Sequence, residues 1–142
     1  MPRILFHLNS ISERGTTTAA LEYAWALREI GNEIQFSFDV NEPSNHPLFV
    51  TEVARDFQLV PYFHFGEFAR LQAGKFDYAY FLKSGENDGK LIPGAVNYVH
   101  AVFANFDPHG HRYVYVSEWL AREVAKKILN STIVFSIGFH IL

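Results

Sequence analysis

Arg3-Ile-Leu-Phe-His-Leu-Asn9 is an apolar run typical of a buried β-strand, and Ser10-Ile-Ser-Glu-Arg-Gly-Thr-Thr-Thr18 is a polar loop that follows it. Residues 19–30 then favour a helix, because apolar side chains recur there at helical spacing. This order predicts a parallel sheet, since two parallel strands need a crossover of a dozen or more residues, usually a helix. The loop is therefore expected at the carboxyl edge of the sheet, where open α/β sheets bind ligands.

The ends of this first helix carry their own signals. The hydroxyls of Thr16, Thr17 and Thr18 are candidate N-caps, and Gly31 predicts the end of the helix. We therefore expect a helix that starts after the threonines and stops at the glycine.

The rest of the chain alternates strand and helix patterns. Helices are predicted after Pro47, around residues 67–73 and after the capping residue Ser117. Further strands are predicted at residues 33–38, 58–62, 76–82, 95–102, 112–116 and 132–137.

Two kinds of strand are distinguishable in this pattern. Residues 33–38 alternate apolar and polar side chains, which predicts one fully buried face and a place towards a sheet edge. Residues 76–82, 95–102 and 112–116 are mainly apolar or aromatic, as expected of central strands. The fold class expected is therefore α/β, with a doubly wound, mainly parallel sheet and helices on both faces.

Composition limits the classes of function. With 142 residues the chain is expected to form a single domain. A net charge of −3 without a Lys/Arg cluster argues against nucleic acid as a partner. The absence of cysteine excludes disulfides, thiolate nucleophiles and cysteine-based zinc sites, and is compatible with the cytosol. The apolar start is too short for a signal peptide and no stretch is long enough to span a membrane, so a cytoplasmic location is expected.

The first loop is a candidate anion site. Arg14, Gly15 and Thr16 would bring a guanidinium, a hydroxyl and free helix-start N–H groups to one place, which suits a phosphate. The alternative is that the glycine makes a tight turn and the threonines only cap the helix. Asp39 follows the second strand, but without a glycine fingerprint no dinucleotide cofactor is predicted.

A second polar loop follows the strand at residues 76–82. Its cation, acids, amide and hydroxyl could recognise sugar hydroxyls, whereas a solvated surface turn would have the same composition. The candidate binding residues in this loop are Lys83, Ser84, Gly85, Glu86, Asn87 and Asp88.

Histidines offer a further candidate. His100 lies near the carboxyl end of an apolar strand, where it could donate a hydrogen bond or act as a general acid in a cleft, or simply be a core residue. His109 and His111 flank a glycine in an irregular loop, so no metal site is predicted. No Gly-x-Ser-x-Gly motif supports a serine hydrolase.

Three segments, residues 3–7 with the loop after them, residues 96–103 and residues 114–121, together resemble the amino-terminal half of GT-B glycosyltransferases of the family 4 type. Val114-Tyr-Val-Ser-Glu-Trp-Leu-Ala121 is similar to a strand-to-helix corner late in that half. Arg3-Ile-Leu-Phe-His7 with its Arg-Gly-Thr loop is similar to the first strand and loop, and Val96-Asn-Tyr-Val-His-Ala-Val-Phe103 to a strand that ends in a cleft-facing histidine.

The resemblance implies a Rossmann-like domain that chiefly binds the acceptor, a sugar or a lipid, while a second domain holds the nucleotide sugar. It places Gly15 and its neighbours near the donor phosphates and His100, as the catalytic candidate, near the transferred sugar. It also puts Ser117 and Glu118 among the substrate-binding residues. No second domain is expected in these 142 residues, so the isolated domain is expected to be inactive.

The alternative function is a non-catalytic binding or assembly module. Exposed aromatic side chains at Tyr62, Phe63, Phe65 and Phe68 would supply a partner surface. A homodimer through the surface that a missing domain would cover is the corresponding expectation for oligomeric state.

Overall fold

The computed structural model describes residues 1–129 of the chain. Within that range strands and helices alternate for most of the chain, as the sequence predicts. The strands are β1 (Arg3–Leu8), β2 (Glu33–Phe38), β3 (Gln58–Leu59), β4 (Tyr78–Lys83), β5 (Val96–Ala101) and β6 (Arg112–Tyr115). The helices are α1 (Gly15–Glu29), α2 (Pro47–Asp56), α3 (Phe65–Gln72) and α4 (Glu118–Leu129).

The described strands form one sheet in the order β3-β2-β1-β4-β5-β6, and every pair of neighbours is parallel. The order reverses between β1 and β4, which makes that boundary the topological switch point of the sheet. The α/β class with a doubly wound parallel sheet is therefore confirmed, and the fold is Rossmann-like.

Helix α1 begins four residues earlier than the sequence predicted. Gly15 is its first residue and Arg14 holds the N-cap position with no side-chain cap bond, so the three threonines lie in the first turn and do not cap it. The Thr17 hydroxyl instead accepts a hydrogen bond from the Ser12 N–H at 3.2 Å. The predicted stop at Gly31 is confirmed, because its φ of 97° suits glycine.

Strand β2 differs from its prediction in burial. It lies second from the edge and is buried on both faces, including Gln35 and Ser37. Each of these polar side chains has a partner: the Gln35 amide donates to Glu33 and the Ser37 hydroxyl to the Phe6 carbonyl. The alternation of apolar and polar side chains predicted one exposed face. That prediction was wrong because these hydrogen bonds lower the free-energy penalty of burying the polar side chains.

The remaining strands agree with the sequence to different degrees. Strand β4 is central as predicted, whereas β3 spans only Gln58–Leu59. Among residues 1–129, β6 pairs with β5 alone and so is not central there. The strand predicted at residues 132–137 lies outside the described residues.

Helices cover both faces of the sheet. On one face α1 and α2 pack against Phe6 and Phe36; on the other α3 packs against Phe81 and α4 against Tyr115. Because neighbouring positions on parallel strands share a face, the register also places Tyr80 and His100 on the α1 face, with Phe6.

Candidate functional site at the carboxyl edge

The two polar loops and the histidine that the sequence singled out meet at one rim of the sheet. A cleft of about 650 Å³ opens between the ends of β1, β4 and β5 and the start of α1. Its lining includes Arg14, Gly15, Ser84 and His100. The cleft therefore lies at the switch point, the place where open α/β sheets bind ligands.

The start of α1 supplies the positive end of a helix dipole to this cleft. Arg14, Gly15 and Thr16 line it, and the first amide groups of a 15-residue helix have no acceptor within the helix. The Arg14 side chain is exposed and makes no capping bond, so its guanidinium is available to a ligand. This corner of the cleft suits an anion.

His100 forms the inner wall of the cleft, at the carboxyl end of β5. Its side chain is 1% exposed, and its Nδ1 lies 2.5 Å from the Tyr80 hydroxyl oxygen. Its Nε2 is buried and has no hydrogen-bond partner among the described residues. Burial lowers the pKa of His100, so the imidazole is neutral near pH 7.

Lys83 is one of the residues that line the cleft, but its ammonium group is held on the other face of the sheet. Its side chain is 1% exposed and lies on the Phe81 face of the sheet, where Nζ is 2.6 Å from an Asp88 carboxylate oxygen. Burial lowers the pKa of Lys83 despite that partner. For Asp88, burial works against ionisation, but hydrogen bonds from Lys83 and from the Lys90 N–H outweigh it and lower the carboxyl pKa. The pair anchors the loop.

The rest of this loop divides between the cleft and the surface. Ser84 lines the cleft, whereas the buried Gly85 accepts a hydrogen bond from the Tyr113 hydroxyl at 2.7 Å. Glu86 and Asn87 are exposed outside the cleft lining, and the Asn87 N–H donates to Asp107. The structure thus brings only part of the predicted loop to the cleft.

Ser117 and Glu118 also lie outside the cleft lining. The Ser117 hydroxyl accepts a hydrogen bond from the Leu120 N–H at 3.1 Å, which caps α4 as the sequence predicted. Glu118 forms an ion pair with Arg122 one turn along the helix. Val116, just before them, does line the cleft.

The other buried histidine, His7, lies in the core away from the cleft, and its Nδ1 also has no hydrogen-bond partner among the described residues. Its Nε2 lies 2.7 Å from the Tyr62 hydroxyl, and the ring packs against Phe65 and Phe81. Burial is the main reason that the pKa of His7 is lowered to about 3. In residues 1–129 no group of three or more histidine or acidic side chains is placed to hold a metal ion.

No binding role was predicted from the sequence for several residues that line the cleft. Phe103 is 63% exposed and lines it, together with Asn9 and Ser10. Tyr80 was predicted only as part of a central strand; it does not line the cleft but contacts His100, the strand partner of Leu82 two residues further on. The contact between Tyr80 and His100 follows from the register of β4 and β5, which a single sequence does not reveal.

The predicted aromatic partner surface is mostly wrong. Tyr62 and Phe68 are 5% and 4% exposed and belong to the core beneath α3, and Phe65 packs against them. Of the four aromatic residues, Phe63 alone is largely exposed. The prediction failed because α3 turns its aromatic side chains toward the sheet.

A different apolar surface lies on the α1 face. A groove of about 620 Å³ runs between α1 and the strands β4 and β5, lined by the rings of Tyr23, Tyr78, Tyr80 and Tyr98. Tyr78 is 38% exposed. The groove is separate from the cleft, but Tyr80 links them because it lines the groove and contacts His100.

Fold and cleft together define the chain as a Rossmann-like α/β protein with a donor-rich cleft at its switch point. No family model, curated protein or solved structure matches it. None of the helices in residues 1–129 has the length and apolar character needed to cross a bilayer.

Proposed function

We propose that this chain binds the phosphate-bearing part of a nucleotide sugar in the carboxyl-edge cleft and forms half of a sugar-transfer site. The observation that carries the proposal is the buried, unpartnered Nε2 of His100 in a cleft that also contains the start of α1. A buried polar atom without a partner is unfavourable unless a ligand or a water molecule supplies its hydrogen bond.

The chemistry of the cleft supports this ligand class. Arg14 and the α1 amide groups suit the diphosphate oxygens, and His100 suits a sugar oxygen. The exposed ring of Phe103 offers an apolar face on which a sugar or base can stack. The resemblance to GT-B glycosyltransferases also assigns the loop at Gly15 to the donor phosphates and His100 to the sugar.

The isolated chain is expected to bind weakly and not to transfer sugar. Transfer needs donor and acceptor held in near-attack geometry and the leaving diphosphate stabilised, tasks that GT-B proteins divide between two domains. Purified protein incubated with nucleotide sugars should therefore show no transfer product, and steady turnover would contradict the two-domain account.

The binding proposal is tested by calorimetric titration of the chain with UDP-glucose, UDP and inorganic pyrophosphate. Arg14→Ala should weaken UDP binding about ten- to hundredfold, because a hydrogen bond to a charged group contributes on the order of 1.5–3 kcal/mol. Arg14 makes no capping bond, so the variant leaves α1 intact.

The matched control is Arg70→Ala, which removes an exposed arginine from α3, outside the cleft lining. It should leave UDP affinity unchanged. Equal weakening by both variants would indicate a general charge effect, and no binding by the wild type to any of the three probes would overturn the proposal.

A second candidate function is assembly through the tyrosine-lined groove between α1 and β4–β5. Its partly exposed aromatic lining is the observation that favours it. If the groove is an interface between two copies, light scattering should show a dimer that Tyr78→Glu dissociates. A monomer at high micromolar concentration would exclude this homodimer.

A further inference from the structure

Tyr80 and His100 form a hydrogen-bonded pair across the neighbouring strands β4 and β5. The Tyr80 oxygen lies 2.5 Å from Nδ1 of His100, and their rings meet edge to face with centroids 5.7 Å apart. On the α1 side the ring of Tyr23 stacks on His100 at 6.2 Å. These contacts hold the imidazole in one orientation.

The direction of this hydrogen bond decides what His100 offers to a ligand. A neutral imidazole has one N–H group and one nitrogen that accepts a hydrogen bond. That nitrogen is a stronger acceptor than the phenol oxygen of a tyrosine. Within residues 1–129 the Tyr80 hydroxyl has His100 as its hydrogen-bond partner. These properties favour a phenol that donates to Nδ1, which would leave the imidazole proton on Nε2.

We propose that Tyr80 is a positioning residue that fixes His100 in the Nε2–H tautomer, so that His100 donates a hydrogen bond to a ligand oxygen and does not act as a base. This inference rests on the proposed function for the identity of the ligand, although the tautomer is a property of the free protein. The Nε2–H tautomer requires a ligand that places an acceptor oxygen next to Nε2 of His100.

The surroundings of the pair favour the same protonation states. Burial is the main reason that the pKa of Tyr80 is raised, so the phenol keeps its proton, and burial lowers the pKa of His100. The groups that face His100 are Tyr80 from β4, Tyr23 from α1 and the apolar Val114 from β6. Arg14, the start of α1 and His100 all line the cleft, so a proton on Nε2 would give His100 a donor to add to the guanidinium and the helix amides.

The tautomer is tested by ¹⁵N NMR of histidine-labelled protein without ligand. In the wild type the His100 signals should show a protonated Nε2 and an unprotonated Nδ1. In Tyr80→Phe the two tautomers should mix, because Nδ1 loses its donor. A protonated Nδ1 in the wild type, or an unchanged tautomer in the variant, would overturn the inference.

Two further hydroxyl deletions serve as controls. Tyr98→Phe removes the hydroxyl of the ring beside Tyr80; the two ring centroids are 6.2 Å apart. This variant leaves the hydrogen bond between Tyr80 and His100 in place. Tyr62→Phe removes the partner of His7 on the opposite face, a matched deletion outside the cleft. Both controls should preserve the His100 tautomer.

Titration with UDP-glucose then tests the role in binding. Tyr80→Phe should bind about three- to tenfold more weakly than the wild type, as expected for one hydrogen bond, and both controls should bind normally. Wild-type affinity in Tyr80→Phe would overturn the positioning role. Absence of binding by the wild type would count against the proposed function, and the NMR result would still decide the tautomer.

Discussion

At the scale of single residues, the buried histidines couple stability to pH. The pKa of His7 falls to about 3 on folding, chiefly by burial, from a usual value of 6.5. Below pH 6.5, His7 therefore binds a proton in the unfolded chain but stays neutral in the folded chain until the pH approaches 3. The stability that depends on neutral His7 is complete above pH 6.5 and is lost as the pH falls toward 3.

We accordingly expect the free energy of unfolding, measured with urea, to decline as the pH is lowered from 6.5. The double variant His7→Phe with Tyr62→Phe removes both partners of the buried hydrogen bond and should show a shallower decline. A decline as steep as that of the wild type would show that His7 is not the source.

The Lys83–Asp88 pair makes a second prediction at this scale. Asp88→Asn leaves the buried Lys83 ammonium without its ion-pair partner and should destabilise the fold by roughly 1–3 kcal/mol. Glu86→Gln, an exposed neutralisation in the same loop, is the control and should change stability by less than about 0.5 kcal/mol. Equal effects in urea unfolding would contradict an anchoring role for the pair.

At the scale of elements, the loop after β4 is tied to β6. Gly85 has a φ of 115°, and a Cβ there would lie 2.7 Å from the Tyr113 hydroxyl oxygen that bonds to its carbonyl. Gly89 has a φ of 74° but open space around it. The two glycines share a left-handed backbone and differ in crowding.

Gly85→Ala should therefore destabilise the protein by more than Gly89→Ala, which carries only a backbone strain of about 1–2 kcal/mol. The thermal unfolding midpoints of the two variants measure the difference. If both midpoints fall equally, the contact between the loop and Tyr113 contributes nothing.

The elements also show what a single sequence could and could not predict. Gly31, Pro47 and Ser117 marked helix ends correctly because each acts through its own local backbone. The start of α1 was missed because three threonines in a row look like caps, whereas the position before Gly15 takes that role. A helix end was predictable from the sequence where one residue, acting on its own backbone, determines it.

At the scale of the whole molecule, the sequence predicted parallel strands and a common rim, and both are present. It did not predict that the Lys83 ammonium group pairs with Asp88 on the other face of the sheet or that Tyr80 contacts His100. Those facts depend on strand order and register, which arise from packing between distant segments. A histidine near a strand end was recognisable, but its partner was not.

The central claim is that the cleft between β1, β4, β5 and the start of α1 binds a phosphate-bearing ligand. The most direct measurement is an amide NMR titration with UDP that maps the shifted residues onto the structure. The account predicts saturable shifts concentrated at Gly15, Thr16, Ser84 and Phe103, with little change at the tyrosine-lined groove. Shifts confined to the groove, or none at millimolar UDP, would contradict it.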